Sequence, residues 1–384
     1  MSKKNITSKD FTDILQKSLS KKFKDKPYDV ITVDERGERT DPTKFLSTGD
    51  DVLDLIISNR KNGGIPFGRY LNIYSDSGLG KSLIVQKLIA NVQKMGGTGV
   101  YFDTEGGIYT DFMRVLGVNT DELVYFDEIN TVEDIFEVII EIVVTNLEND
   151  IDNPMVIAVD SMTAVTTRQG ADLSTMEEAG YGEGARKQKL INGLFRKTLT
   201  KIKQDNIVFV TTDQIRDKIN NAGWGRNWKD TAGWAQKFYS DIRLEMTPRG
   251  SIKNKNGDEI GNKVNVKVVK SRISPKDKDA DMFIYGTRGL DKYKSLIEKC
   301  KELDIINKTT KVKYPIGDGK FWRDDEGLLP TEMEFKRLLK NDASLYDEVY
   351  SKLADKMIIK YESEDVLIDD EENTIEPIDN SKEE

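Results

Sequence analysis

The sequence predicts an α/β protein with a mostly parallel, twisted sheet at its centre, an N-terminal helix before it and a small α+β domain after it. Three observations carry this reading. An apolar strand, Tyr70–Tyr74, opens into the loop Ser75-Asp76-Ser77-Gly78-Leu79-Gly80-Lys81-Ser82, and an apolar-periodic helix follows. Short, continuously apolar runs recur at Tyr70–Tyr74, Val100–Asp103, Met155–Asp160 and Ile207–Thr212, as expected of parallel strands covered on both faces. Segments with helical periodicity at Ser82–Met95, Val132–Leu147 and Arg186–Gln204 alternate with them.

Composition narrows the chemistry. The chain has 384 residues, 37% hydrophobic and 33% charged, with one cysteine (Cys300) and no histidine. A disulfide framework, a Cys/His zinc site and any mechanism needing a histidine base are excluded. Carboxylates, lysine, arginine, hydroxyls and a bound ion remain. The N-terminus lacks the apolar stretch of a signal peptide. The most apolar segment, Val132–Leu147, is interrupted by Glu133, Asp134, Glu137 and Glu141, so no membrane span is expected. A reducing cytoplasm is the expected compartment.

The net charge of −9 is unevenly spread. Residues 362–384 hold eleven acidic residues and one lysine, which leaves the remainder close to neutral and free to carry basic patches.

In chain order, residues 1–44 read as an amphipathic helix (Phe11, Ile14, Leu15, Leu19, Phe23) and a polar linker suited to packing on a neighbouring subunit. Residues 45–289 form the α/β core, with Ile242–Met246 and Val264–Val269 as an antiparallel extension. Residues 290–361 hold short helices (Ser295–Leu303, Met333–Leu339, Leu345–Met357) around the turn Tyr314–Gly319. Residues 362–384 are an acidic tail expected to be disordered.

The 75–82 loop matches GxxxxGK(S/T) except that Ser75 stands at the first glycine. Glycines let the backbone curl so that N–H groups and the helix N-terminus face phosphate oxygens. Lys81 is placed for the β/γ-phosphates and Ser82 for a magnesium ion. Asp160, at the end of an apolar strand, suits the same ion, although an aspartate there also caps helices. Glu105 follows the strand 100–103 and could activate a water; spacing alone does not separate this from a solvated loop glutamate. Gln214 ends the strand beginning at Ile207 and could sense a γ-phosphate, or be an ordinary polar strand end.

The segment 217–234 interleaves Trp224, Trp228 and Trp234 with Lys218, Arg226, Lys229 and small residues, a composition suited to stacking bases and pairing phosphates of single strands. A second Gly-rich stretch, 169–184, leads into Arg186, Lys187, Lys189, Arg196 and Lys197, which serve equally as a solvated basic helix face. Lys270 and Arg272 end an alternating strand at i, i+2, a spacing that puts both on one face.

These stretches, together with Leu46–Gly49, Phe102–Glu105, Val156–Ser161, Gln214–Arg216, Lys237–Tyr239, Val266–Ile273 and Tyr285–Gly286, resemble bacterial RecA recombinases and their phage counterparts of the UvsX type over about residues 8–358. The resemblance implies a RecA-like P-loop NTPase core that binds ATP and Mg2+. It implies a helical filament on single-stranded DNA that pairs with homologous double-stranded DNA and exchanges strands, with DNA-stimulated ATP hydrolysis. Within it, Glu105 is the catalytic carboxylate and Gln214 couples ATP to the DNA loop. Lys270 and Arg272 reach the neighbour's ATP across an interface that also holds Phe238. Arg186 and Arg196 lie beside the first DNA loop; Arg216, Lys218, Trp224, Arg226, Trp228 and Lys229 belong to the second. Tyr109 and Phe112 fall where an aromatic packs on adenine. Single-strand-binding and mediator proteins are further expected partners. A RecA-fold helicase and a non-catalytic, ATP-gated recombination mediator stand as the alternative readings.

Overall fold

The structure is a computed structural model that describes residues 8–22, 42–149, 151–171, 183–202, 206–217, 228–230, 234–307, 311–314 and 329–361. It divides into two compact units, Met1–Phe45 and Leu46–Glu384. In the first, α1 (Ser8–Lys22) is the expected amphipathic helix, with Phe11 and Ile14 exposed and Lys21 and Lys22 in its last turn, where cations suit the helix dipole. Phe23 and the acidic tail lie outside the described residues.

The second unit is built on a ten-stranded sheet. Its strands are β1 (Arg69–Ser75), β2 (Thr98–Asp103), β3 (Val124–Phe126), β4 (Met155–Asp160), β5 (Ile207–Asp217), β6 (Trp228–Asp230), β7 (Ile242–Lys253), β8 (Glu259–Ser271), β9 (Asp279–Tyr285) and β10 (Gly289–Leu290). They lie in the order β10-β9-β8-β7-β1-β5-β4-β2-β3, and β6 pairs with β5 off this path. Pairings from β7 through β1, β5, β4 and β2 to β3 are parallel, and those from β7 out to β10 are antiparallel. The predicted parallel core and antiparallel extension are therefore both present.

Alternation along the central strands explains why they read as unbroken apolar runs. In β4, Val156 and Ala158 join one hydrophobic cluster, while Met155, Ile157 and Val159 join the other. Every residue thus faces a covered side. One side is covered by α2 (Asp51–Ser58) and α3 (Lys81–Lys94), the other by α5 (Val132–Glu148) and α7 (Glu183–Ile202). Shorter helices, α4 (Thr110–Val115), α6 (Arg168–Ala171) and α8 (Trp234–Tyr239), sit between strands. Parallel register sets Ser75 opposite Gln214 and Asp103 opposite Asp160, so the polar strand ends meet at one edge, where ligands bind in such folds.

Helices α9 (Lys292–Glu302), α10 (Glu332–Asn341) and α11 (Ala343–Met357) share the first cluster through Leu296, Cys300, Phe335 and Val349. Asn59, at the end of α2, exchanges two hydrogen bonds of 2.8 Å with the backbone of Ile359, and Tyr346 donates to Asp51. Thr331 and Glu334 form a reciprocal cap at the start of α10.

Several boundaries differ from the sequence expectation. The strand expected at Ile207–Thr212 runs on to Asp217, because its polar end pairs with β6. Val264–Val269 is the middle of a thirteen-residue strand. Of the turn expected at Tyr314–Gly319, only Tyr314 lies within the described residues.

Candidate active site

The loop between β1 and α3 is shaped by two glycines. Gly78 and Gly80 have φ of 74° and 92°, a region that side chains rarely adopt, and Gly80 is the N-cap of α3. This turns the helix N-terminus, with its unpaired N–H groups, into a cavity of about 840 Å³. Ser75 needs no glycine conformation, because it is still part of the sheet, paired with Gln214 on one side and Met246 on the other. Its buried hydroxyl donates to Asp76 O (2.6 Å) and accepts from the Lys81 ammonium (3.1 Å), which also donates to Asp76 O at 3.0 Å. Burial holds the Lys81 pKa below its usual value, against the pull of Asp160, Glu105, Asp76 and Asp213.

The adjacent strand ends supply the acids. Asp160 accepts from Tyr101 (2.6 Å) through one oxygen and from Thr212 through the other. The Tyr101 hydroxyl is pushed far above its ordinary pKa by burial and by Asp160, so it stays a donor. Asp103 accepts from the N–H groups of Glu105 (3.2 Å) and Gly106 (2.8 Å) and from the Tyr125 hydroxyl (2.9 Å), and so sets the turn that carries Glu105. Glu105 Oε1 in turn accepts from Ser161 Oγ at 2.5 Å and from Gln214 Nε2 at 2.9 Å.

The fold brings most of the sequence-derived nucleotide site together. Ser77, Gly78, Gly80, Lys81 and Ser82 line the cavity with Glu105, Phe112, Asp160 and Gln214, while Ser75 lies buried behind Lys81. Tyr109 does not join them; it precedes α4, is 71% exposed and is absent from the lining. The sequence reading missed the far wall, which comes from Glu259–Asn262 and Ile284–Arg288. There Arg288 stacks on Tyr285, 3.7 Å from the ring centre. Only the Tyr285-Gly286 pair signalled this wall in the sequence.

The residues fit a nucleoside triphosphate: positive-φ glycines, a helix N-terminus and a buried ammonium converge on a cavity of suitable size. Among the described residues no group of three or more acidic, histidine or cysteine side chains gathers for a metal. A magnesium ion here would rest on Ser82 and Asp160, in keeping with a cation that keeps most of its water.

Lys270 and Arg272 lie elsewhere. The Lys270 ammonium donates to the carbonyls of Lys237 (2.7 Å) and Phe238 (2.8 Å), while Arg272 pairs with the buried Asp241 at 3.1 Å and reaches Phe238 O at 3.4 Å. Phe238 itself is 66% exposed beside them. All three gather at the end of α8, outside the cavity lining. Arg196 is exposed on α7. The backbones of Arg186, Arg216, Trp228 and Lys229 fall in α7, β5 and β6, with their side chains outside the described set; Lys218, Trp224 and Arg226 lie outside it altogether.

Comparisons with known proteins agree with this geometry. The RecA N-terminal domain model matches residues 15–291. The chain is 32% identical over 337 residues to Protein RecA of Dichelobacter nodosus, covering 87% of this chain and 89% of that protein. It is 30% identical over 351 residues to Protein RecA of Campylobacter jejuni subsp. doylei, covering 91% and 96%. To Protein RecA of Rickettsia bellii it is 33% identical over 287 residues, covering 74% and 79%.

Proposed function

The chain belongs to the RecA family, and from that premise we propose how its residues divide the work of DNA-dependent ATP hydrolysis and strand exchange. It is a recombinase that forms filaments on DNA. The triphosphate of ATP lies along residues 75–82, with loop N–H groups and the start of α3 on its oxygens and Lys81 between the β- and γ-phosphates. Ser82 and Asp160 would hold Mg2+, which would supply positive charge to neutralise those phosphates. Phe112 packs on the base; Tyr109, being exposed, contributes less.

Glu105 orients the attacking water and takes its proton. Gln214 is its partner and the sensor of the γ-phosphate, since the β5 strand that bears it leads directly into the second DNA loop. Lys270 and Arg272 stabilise transition-state charge on the ATP of the adjoining subunit, with Phe238 packed at that interface. Arg186, Arg196, Arg216, Lys218, Trp224, Arg226, Trp228 and Lys229 contact single-stranded DNA, with double-stranded DNA as the second substrate. Single-strand-binding and mediator proteins would act on the same filament, in the cytoplasm. No helix among the described residues is long and apolar enough to cross a membrane.

One observation carries this reading: the Glu105 carboxylate, tied to Gln214 at 2.9 Å, faces the same cavity as Lys81 and Asp160. Phosphate release with saturating single-stranded DNA tests it. Lys81→Ala is expected to abolish DNA-stimulated turnover. Glu105→Gln is expected to keep nucleotide binding and lose about 10²–10⁴-fold in turnover, the usual worth of a positioned base. Full activity in Lys81→Ala would refute the assignment.

A further inference from the structure

Lys187 belongs, by sequence, to the run of basic residues that follows the segment 169–184. The fold turns it inward. From the first turn and a half of α7 its ammonium donates to the carbonyls of Met162 (3.1 Å), Thr163 (3.5 Å) and, closest, Val165. These carbonyls form the back of the turn that follows β4. Its front faces the catalytic groups. Ser161 Oγ donates to Glu105 at 2.5 Å, Thr163 Oγ1 accepts the Gln214 N–H at 3.0 Å, and the Met162 N–H donates to Thr212 O at 3.0 Å. One five-residue turn, 161–165, therefore touches Glu105, the backbone of Gln214 and Lys187.

We infer that Lys187 is a positioning residue that couples DNA at segment 169–184 to the placement of Glu105 and Gln214. The inference rests on the reading that this segment contacts DNA. Two physical points support it. An ammonium shared among three carbonyls makes charge-assisted bonds, which are stronger than neutral ones, and so grips the turn firmly. Helix α7 is anchored in the core through Ile191, Phe195 and Ile202, so a displacement at its start is passed on rather than absorbed by bending. The Lys187 ammonium is turned towards these carbonyls, which assigns it a role at the turn rather than at a phosphate. That separates it from Arg186, one residue earlier.

The test uses the full chain carrying Lys187→Met, Lys187→Arg or Thr163→Val. ATP turnover is measured without DNA and with a saturating single-stranded oligonucleotide, and DNA affinity is followed against salt. Lys187→Met is expected to keep basal turnover, DNA affinity and salt dependence, while stimulation by DNA falls about tenfold, a usual size for coupling between sites. Lys187→Arg restores most of the stimulation. Thr163→Val lowers stimulation too, and the Thr163→Val/Lys187→Met double variant is no worse than its more affected parent, as one shared route requires. Unchanged stimulation in Lys187→Met overturns the inference. So does a loss of affinity with a salt slope reduced by about one, which marks a phosphate contact. An equal loss of basal and stimulated turnover, unrelieved by arginine, also overturns it as mere structural support. If replacing residues 172–182 by a glycine-serine linker leaves DNA affinity and its salt dependence unchanged, the underlying reading of segment 169–184 fails instead.

Discussion

Ser75 occupies the glycine position of the phosphate loop and gives its hydroxyl a task there. With Asp76 O, that hydroxyl accepts from the Lys81 ammonium and so competes with a phosphate for it. Ser75→Gly is therefore expected to tighten nucleotide binding about fivefold, the worth of one hydrogen bond of ~1 kcal/mol. An equilibrium titration with a fluorescent ATP analogue measures this, and equal or weaker affinity would count against the competition. Tyr125 acts at one remove. Its hydroxyl, pushed up to about 12 by burial and by Asp103, donates to Asp103 throughout the working pH range. Without that bond Asp103 still holds the Glu105 turn, but less rigidly. Tyr125→Phe should lower kcat about threefold with KM for ATP unchanged, a loss near the ~0.5–1 kcal/mol of a partly exposed hydrogen bond. A change confined to KM would place Tyr125 at the nucleotide instead. Neither role was legible beforehand: Ser75 was visible as a mismatch, but its partners are set by folding, and nothing near Tyr125 in sequence connects it to Glu105.

Helix α2 brings two buried acids to the junction between the sheet and the C-terminal helices. Asp50 caps the helix by accepting from Val52 and Leu53, and Asp54 accepts from Ser47 and Thr48. Burial raises both pKa values from 3.8 to about 7. A carboxyl that holds its proton more tightly when folded stabilises the chain fully below the unfolded value, and that stability is lost as pH rises towards the folded value. Between pH ~4 and ~7 each group therefore destabilises the fold progressively as pH rises. The carboxyls held low, such as Asp281, Glu298 and Glu332, act in the opposite direction but only below their ordinary range. Thermal unfolding followed by circular dichroism should thus give a lower Tm at pH 7 than at pH 5, with the difference roughly halved in Asp50→Asn. A Tm that rises over this interval would show that these two acids ionise freely. Among the elements, legibility followed burial. Strands β1, β2, β4 and β5 were plain because both of their faces are covered. The edge strand β3 has three residues, too short for a period, and in β9 the acids Asp279 and Asp281 mask the buried Ala280 and Met282. The far wall of the cavity comes from β8 and β9, nearly two hundred residues beyond the phosphate loop, a distance that local patterning does not span.

At the scale of the whole molecule, the proposed sharing of the site between subunits predicts complementation. Lys270→Ala/Arg272→Ala chains should fold normally and hydrolyse ATP poorly, as should Lys81→Ala chains. Mixed in equal amounts, the two should regain activity at about a quarter of the contacts, where an intact loop meets intact cations in a heterologous assembly. Circular dichroism of each variant and turnover of the mixture decide it; no gain on mixing would place both halves of the site in one chain. The strand β8 gives this arrangement a mechanical side. Glu259–Asn262 at its start belong to the chain's own nucleotide cavity, while Lys270 and Arg272, at and just beyond its end, sit by Phe238. Nine residue steps along the strand take Gly261 to Lys270, about 30 Å of pleated backbone. The strand pairs with β7 along its length and with β9 from Gly261 to Lys267, with register shifts near Gly261, Val264 and Lys270. Such a rod stretches very little. If Lys270 and Arg272 meet the neighbour's phosphates as proposed, consecutive nucleotides along a filament would be linked by tie-rods of fixed length, and the filament could lengthen or shorten only by pivoting at the rod ends.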